Sequence, residues 1–222
     1  MLQNGSYSNL NKVLDYVKKK GEVDAIIAGG AVRDLILNKT VNDYDVYIKC
    51  NDIVEVANIL KKLGIPNSLN HSKNYSFGMQ DILFVSKSKT CVYPLNVDLV
   101  FIKTEKSLVD YVFSEFDFNI CKVAFDGEVI RSSEFEQCLN DKIIKLSNTI
   151  SNEKIKHFAG IHLQKLFYKF SNDFQFEGLH EEFWKFNKDA KLLKCINRTK
   201  ITDLLTKDYV IKTDNYIVIR GR

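Results

Sequence analysis

The residues of this chain whose types and spacing could do chemistry are a glycine pair and three aspartates. Gly29 and Gly30 end a short apolar run, Ala25-Ile26-Ile27-Ala28, and open a segment in which Val32, Leu35 and Ile36 begin a short helix. A buried strand that turns through two glycines into a helix lets the backbone approach a ligand closely. It also aims N–H groups and the positive helix end at an anion. Arg33, in the first turn of that helix, could add a charge-assisted contact to a phosphate oxygen, and Asp34 follows it in the same turn. The competing reading is a plain tight turn with Arg33 a surface residue paired to Asp34. A dinucleotide site is weaker still, because G-x-G-x-x-G is absent.

Asp43-Tyr44-Asp45 lies downstream at the start of a predicted strand. Residues two apart in a strand point the same way, so both carboxylates would converge on one side while Tyr44 turns inward. Converging carboxylates repel unless a cation sits between them. Magnesium fits that need, since it favours a few carboxylates together with substrate phosphate oxygens over an all-protein cage. Asp98 projects from another predicted strand and could complete the site. Three carboxylates can hold two metals, one lowering the pKa of an attacking hydroxyl and the other neutralising a leaving pyrophosphate. A lone D-x-D also reads as a solvated strand end, and it is the combination with the glycine turn and Asp98 that favours chemistry.

These residues need elements to hold them. Leu10, Val13, Leu14 and Val17 recur at helical spacing before Lys18-Lys19-Lys20-Gly21, which predicts an amphipathic helix over about 8–20. A buried strand over 24–28, the short helix after Gly30 and a strand over 45–48 follow. Asn51 or Asp52 then caps a third helix through Ile53, Val56, Ala57, Leu60 and Leu63, which Gly64 and Pro66 close. Residues 75–86, 95–102 and 116–125 read as extended. In the second of these runs Val97, Leu99 and Phe101 alternate against Asn96, Asp98 and Val100, which sets Asp98 on the face opposite Val97 and Leu99. Asp126-Gly127 between apolar runs is a hairpin signal. The order of elements predicts an α+β fold with a mixed central sheet and flanking helices.

After about residue 150 the pattern becomes helical, with Ile155, Phe158, Ala159, His162, Leu163, Leu166, Phe167 and Phe170 on one face. His162 on that stripe reads as a satisfied core histidine without a role. Two regions are therefore expected, a catalytic domain over 1–150 and a small helical region over 151–222 packed on it.

Composition bounds the answer without naming it. The chain has 222 residues, is 45% hydrophobic and carries a net charge of +4, which permits an anionic partner such as a nucleotide or RNA. Its five cysteines, Cys50, Cys91, Cys121, Cys138 and Cys195, have no C-x-x-C spacing and read as small buried thiols. No membrane-length apolar run occurs, and the first residues lack the plan of a signal peptide, so a cytoplasmic setting is expected.

The run Ala28-Gly29-Gly30-Ala31-Val32-Arg33-Asp34, followed by Asn42-Asp43-Tyr44-Asp45-Val46, resembles the head domain of the bacterial-type tRNA CCA-adding enzymes and poly(A) polymerases. These belong to the DNA polymerase beta-like nucleotidyltransferase superfamily, and their pattern is G-G-x-V-R-D, then D-x-D. The similarity continues at Asn96-Val97-Asp98-Leu99 and at 116–127, which is similar to that family's R-R-D-F-T-I-N-A-L-A-Y-D. The resemblance covers roughly residues 20–150. It implies Asp43 and Asp45 as metal ligands, Asp98 as the third carboxylate by position, and Gly29, Gly30 and Arg33 as the triphosphate grip, with Asp34 beside them.

The chain departs from that pattern in two places. Glu115 and Phe116 replace the two arginines before Asp117, and Phe158-Ala159-Gly160-Ile161-His162-Leu163-Gln164 stands where the E-D-x-x-R base-reading helix would fall. Ordered CCA addition by this chain alone is therefore not expected.

The reading that results is a Mg2+- or Mn2+-dependent transfer of a nucleoside monophosphate from a nucleoside triphosphate to an acceptor hydroxyl. An RNA or tRNA 3′ end is favoured as acceptor through the resemblance, and a protein or small molecule is the alternative. Lys191, Lys194, Arg198 and Lys200 could line an RNA track or form an ordinary solvated face. The rival from another class is a non-catalytic nucleotide- or RNA-binding module. Retention of all three carboxylates argues against it, because a dead site has no use for a cluster of like charges.

Overall fold

Leu10, Val13, Leu14 and Val17 are almost fully buried, so the predicted first helix forms and its apolar stripe faces a core. The computed structural model describes residues 5–65, 81–88, 95–149, 159–179, 210–212 and 217–219. Its two compact units are Met1–Glu115 with Cys121–Ser132, and Phe116–Ile120 with Ser133–Arg222.

The first unit is a mixed six-stranded sheet with helices. In chain order it comprises α1 (Gly5–Gly21), β1 (Ala25–Ala28), α2 (Gly30–Ile36), β2 (Tyr44–Lys49), α3 (Ile53–Lys62), β3 (Ile82–Ser88), β4 (Val97–Ile102), α4 (Leu108–Glu115), β5 (Val123–Phe125) and β6 (Val129–Arg131). The strand order is β3-β4-β2-β1-β5-β6. Every neighbouring pair is antiparallel except β2 and β4, which run parallel.

Strands β1 and β4, which have neighbours on both edges, are also covered on both faces. All four residues of β1 and all six of β4 are buried, so the alternation predicted for 97–101 is structurally a strand covered on both sides. Asp98 is the one charged residue in that strand.

Local chemistry accounts for the ends of the elements. Asp52 caps α3, accepting the N–H groups of Val54 and Glu55 at 2.9 Å each. The Asp126-Gly127 hairpin joins β5 to β6, with Gly127 at φ 82°, which a side chain would strain. The extended run predicted over 116–125 is interrupted by a 3-10 turn at Asn119–Cys121, and only Val123–Phe125 pairs as a strand. The helix α4 was not predicted. Its start is fixed by Ser107, whose hydroxyl accepts the Asp110 N–H and donates to the Asp110 carboxylate.

The second unit holds α5 (Ser133–Asp141), β7 (Ile143–Lys145), α6 (Ala159–Phe170), β8 (Gln175–Leu179), β9 (Val210–Lys212) and β10 (Ile217–Ile219). Its sheet has the order β7-β8-β10-β9. The predicted helix after residue 150 is present as α6, with Leu163, Leu166 and Phe170 buried. The strands beside it are a correction to the wholly helical expectation, since Phe174 and Phe176 add a period-2 apolar pattern after the helix. Asn119 ties the 3-10 turn to β7, giving its amide N–H to the Ile143 carbonyl and accepting the Lys145 N–H. Lys191, Lys194, Arg198, Lys200, Cys91 and Cys195 lie outside the described residues. Among the described residues no helix is long and apolar enough to cross a membrane.

Candidate active site

The strand-to-helix turn is built around Gly29, whose φ of 76° and ψ of −123° a residue with a side chain would adopt only under strain. Its N–H donates to the Val123 carbonyl at 2.8 Å, so this donor anchors the turn to β5 and is not turned outward. Its carbonyl accepts the Arg33 N–H at 3.0 Å, which starts α2, and no side chain caps the helix there.

Arg33 folds back over this turn. A Cβ built on Gly30 would lie 3.7 Å from Arg33 Nη2, so the cation stands beside the glycine pair. Nε and Nη2 of Arg33 donate to one Asp34 oxygen, Oδ1, at 2.9 and 2.8 Å, and Nη1 donates to Cys121 Sγ at 3.3 Å. The Arg33 and Asp34 side chains are only 10% and 6% exposed. The pairing that the sequence offered as a surface alternative therefore exists, but as a buried ion pair. Burial acts against the guanidinium charge, and Cys121 and Asp34 together outweigh it, so Arg33 is held above the usual arginine range.

Asp45 and Asp98 are direct register partners on the parallel strands β2 and β4. Partners in such a ladder point to the same face and neighbouring strands are about 4.8 Å apart, so these carboxylates leave the sheet side by side. Asp98 is 8% exposed and Asp45 is partly exposed. Tyr44 is buried on the opposite face, as predicted, and burial raises its phenol despite the opposing hydrogen bond with Asn9.

Asp43 is exposed and precedes the first ladder bond, which runs from the Tyr44 N–H to the Asn96 carbonyl at 2.9 Å. The strand alternation that was to align Asp43 with Asp45 thus begins one residue after Asp43. Among the described residues no three His, Cys, Asp or Glu side chains stand together as a metal-holding group. What the ladder aligns is a pair of carboxylates. An all-oxygen pair suits a hard cation that completes its shell with water and phosphate oxygens, which is how magnesium is commonly held.

A sequence model of the Gabija anti-defense 2 family matches residues 3–142, well over half of the chain and the whole of the site just described. The chain belongs to the Gabija anti-defense 2 family. A curated relative, the Gabija anti-defense 2 protein of Bacillus phage SPbetaL7, is 29% identical over 126 residues, and the match spans 56% of this chain and 27% of that protein.

Solved structures with a similar fold include a CCA-adding enzyme in complex with ATP, 16% identical with a TM-score of 0.60 over 96% of this chain and 55% of that one. Another is the Thermotoga maritima CCA-adding enzyme complexed with tRNA, 16% identical with a TM-score of 0.55 over the same shares. A tRNA-processing enzyme in an apo form is 21% identical with a TM-score of 0.54, over 94% of this chain and 54% of that one. The chain thus spans about half the length of these enzymes. The nucleotidyltransferase fold implied by the resemblance is present, while the family to which the chain belongs is Gabija anti-defense 2.

In this Gabija anti-defense 2 chain, two further residues depart from their sequence reading. His162 is not a core histidine, since its side chain is 49% exposed. Its Nδ1 lies 2.5 Å from Oδ2 of Asp117, which is 9% exposed. The helical period placed His162 on the apolar stripe, but the buried stripe is narrower than the period alone suggests, and the ring meets a carboxylate at its edge. For Cys121 the sequence predicts only a small buried thiol. Cys50 and Cys138 are buried, whereas Cys121 is partly exposed and touches Arg33. No sequence spacing would have joined Arg33 to a residue 88 positions away.

Proposed function

We propose that this chain is a metal-dependent nucleotidyltransferase that works against the Gabija defence for which its family is named. The observation that carries the reading is the register partnership of Asp45 and Asp98 on a nucleotidyltransferase fold, in a chain whose glycine turn and buried arginine come shortly before Asp45. Asp45 and Asp98 would hold the metal as the aligned pair, with Asp43 contributing from the exposed segment ahead of β2. When bound, magnesium or manganese supplies positive charge that favours the ionised acceptor hydroxyl and neutralises the departing pyrophosphate.

The chain's own groups bind and orient the substrate. Arg33, standing over Gly30, offers its cation to the triphosphate, and the turn brings the backbone close to it. The acceptor oxygen attacks the α-phosphorus, a new O–P bond forms, and the bond to the β-phosphate oxygen breaks. Pyrophosphate leaves and the hydroxyl proton passes to solvent. An RNA 3′ end is the favoured acceptor, supported by the fold shared with enzymes solved with tRNA and by the net charge of +4.

The test is incubation of the protein with Mg2+ or Mn2+, each α-labelled nucleoside triphosphate in turn, and total RNA or protein as acceptor. Transfer of label to RNA 3′ ends with pyrophosphate release supports the reading. Label on protein keeps the reaction and changes the acceptor. Nucleotide binding with neither label transfer nor pyrophosphate establishes a non-catalytic binding module instead.

A further inference from the structure

Arg33 is held from two sides. Asp34, its chain neighbour, takes Nε and Nη2, and Cys121, remote in sequence, takes Nη1 at 3.3 Å. The Asp34 contacts converge on one carboxylate oxygen, on the side of the guanidinium that carries Nε and Nη2. The Cys121 contact on Nη1 lies at the far side of the planar group and adds a second point of restraint. The consequence falls at the glycine pair, because the cation so fixed is the group nearest to where a Gly30 side chain would be.

We propose that Cys121 is a positioning residue for nucleotide binding: its thiol, with the Asp34 carboxylate, fixes the Arg33 guanidinium over the Gly29-Gly30 turn in the orientation that meets a triphosphate. The inference rests on the nucleotidyltransferase reading above and adds the residue that sets the geometry of its cation. The contact reads both ways. A guanidinium beside a sulfur stabilises the thiolate, so Arg33 sets the nucleophilicity of Cys121 as Cys121 sets the orientation of Arg33. Cys121 is partly exposed, while Cys50 and Cys138 are buried.

The experiment has one arm that needs no nucleotide and one that does. Iodoacetamide labelling of the native full chain, resolved peptide by peptide, gives the alkylation rate of Cys121 in the wild type and in Arg33→Gln, with circular dichroism confirming the fold. The proposal expects a several-fold slower rate in the variant. Steady-state kinetics of Cys121→Ala, Cys121→Ser and Arg33→Gln form the second arm.

Cys121→Ala is expected to raise KM for the nucleoside triphosphate several-fold with kcat little changed, as loss of a binding orientation does. Cys121→Ser, which keeps an acceptor for Nη1, recovers part of that loss. The double variant Cys121→Ala/Arg33→Gln is no worse than Arg33→Gln alone. An unchanged alkylation rate in Arg33→Gln overturns the contact. Unchanged KM in Cys121→Ala, or effects that add in the double variant, overturns the positioning role. A wild type that labels as expected but turns over no nucleotide removes the parent reading, and the positioning role with it, while leaving the contact itself measured.

Discussion

Asp34→Ala isolates the buried ion pair at the centre of the turn. Both side chains of the Arg33–Asp34 pair are about nine-tenths buried, so screening by solvent is weak. Removing one partner of a buried pair leaves an uncompensated charge and typically costs about 3–5 kcal/mol. Cys121 keeps part of the guanidinium occupied, which places the expected loss near the lower end, about 3 kcal/mol. Against a typical total stability of about 5–15 kcal/mol this is a large fraction. With a urea slope of about 1–3 kcal/mol per molar, the midpoint falls by roughly 1–3 M.

Urea unfolding followed by far-UV circular dichroism measures the shift, and hydrogen exchange at the β1 and β2 amides assigns it to the first unit. Replacing both partners by apolar residues, as in Arg33→Met/Asp34→Leu, removes the stranded charge and recovers most of the stability. A loss below about 1 kcal/mol in Asp34→Ala, or a double variant no better than the single one, would show that the pair is not buried as described.

Other consequences can be measured independently. Gly29→Ala forces a side chain onto φ 76° and ψ −123° and should cost about 1–3 kcal/mol in the same unfolding assay; an unchanged midpoint would deny that the turn needs glycine. Burial, with Glu55 and Asp52 nearby, pushes the Cys50 thiol from 9.0 up to about 12, so the folded state keeps its proton where the unfolded state loses it. That contribution to stability is full below about pH 9 and is lost as pH rises through about 12; unfolding midpoints across this window should fall in the wild type and less in Cys50→Ala. The Tyr111 hydroxyl is buried without a hydrogen-bond partner among the described residues, so Tyr111→Phe should leave stability equal or higher, and a loss above about 1 kcal/mol would reveal a missed partner.

The glycine turn, the elements around it and the capped third helix were legible because each depends on local chemistry. Asp52 before an apolar period, Gly64 after it, and Asp126-Gly127 between strands act through their own backbone. The helix α4 carries an equally local signal, since Ser107 and Asp110 stand at N-cap spacing, but that signal is set among strand-rich flanks. Strand pairing was not legible. That β2 runs parallel to β4 and sets Asp45 opposite Asp98 depends on a crossover through α3 and β3, which one sequence does not register.

The burial of Arg33 and Asp34 was hidden for the same reason, because residues adjacent in sequence disclose nothing about what covers them. His162 shows the limit of period counting: the helix forms, but one position at the edge of its apolar stripe is exposed.

Nucleotidyl transfer supported by the Asp45–Asp98 pair is read out by pyrophosphate release with a nucleoside triphosphate, magnesium and acceptor RNA. The wild type should release pyrophosphate in step with label transfer. Asp45→Asn and Asp98→Asn, folded as judged by circular dichroism, should each lose at least about a hundredfold in rate. Pyrophosphate release that survives both substitutions, or its absence in the wild type with every nucleotide, metal and acceptor class, would contradict the account.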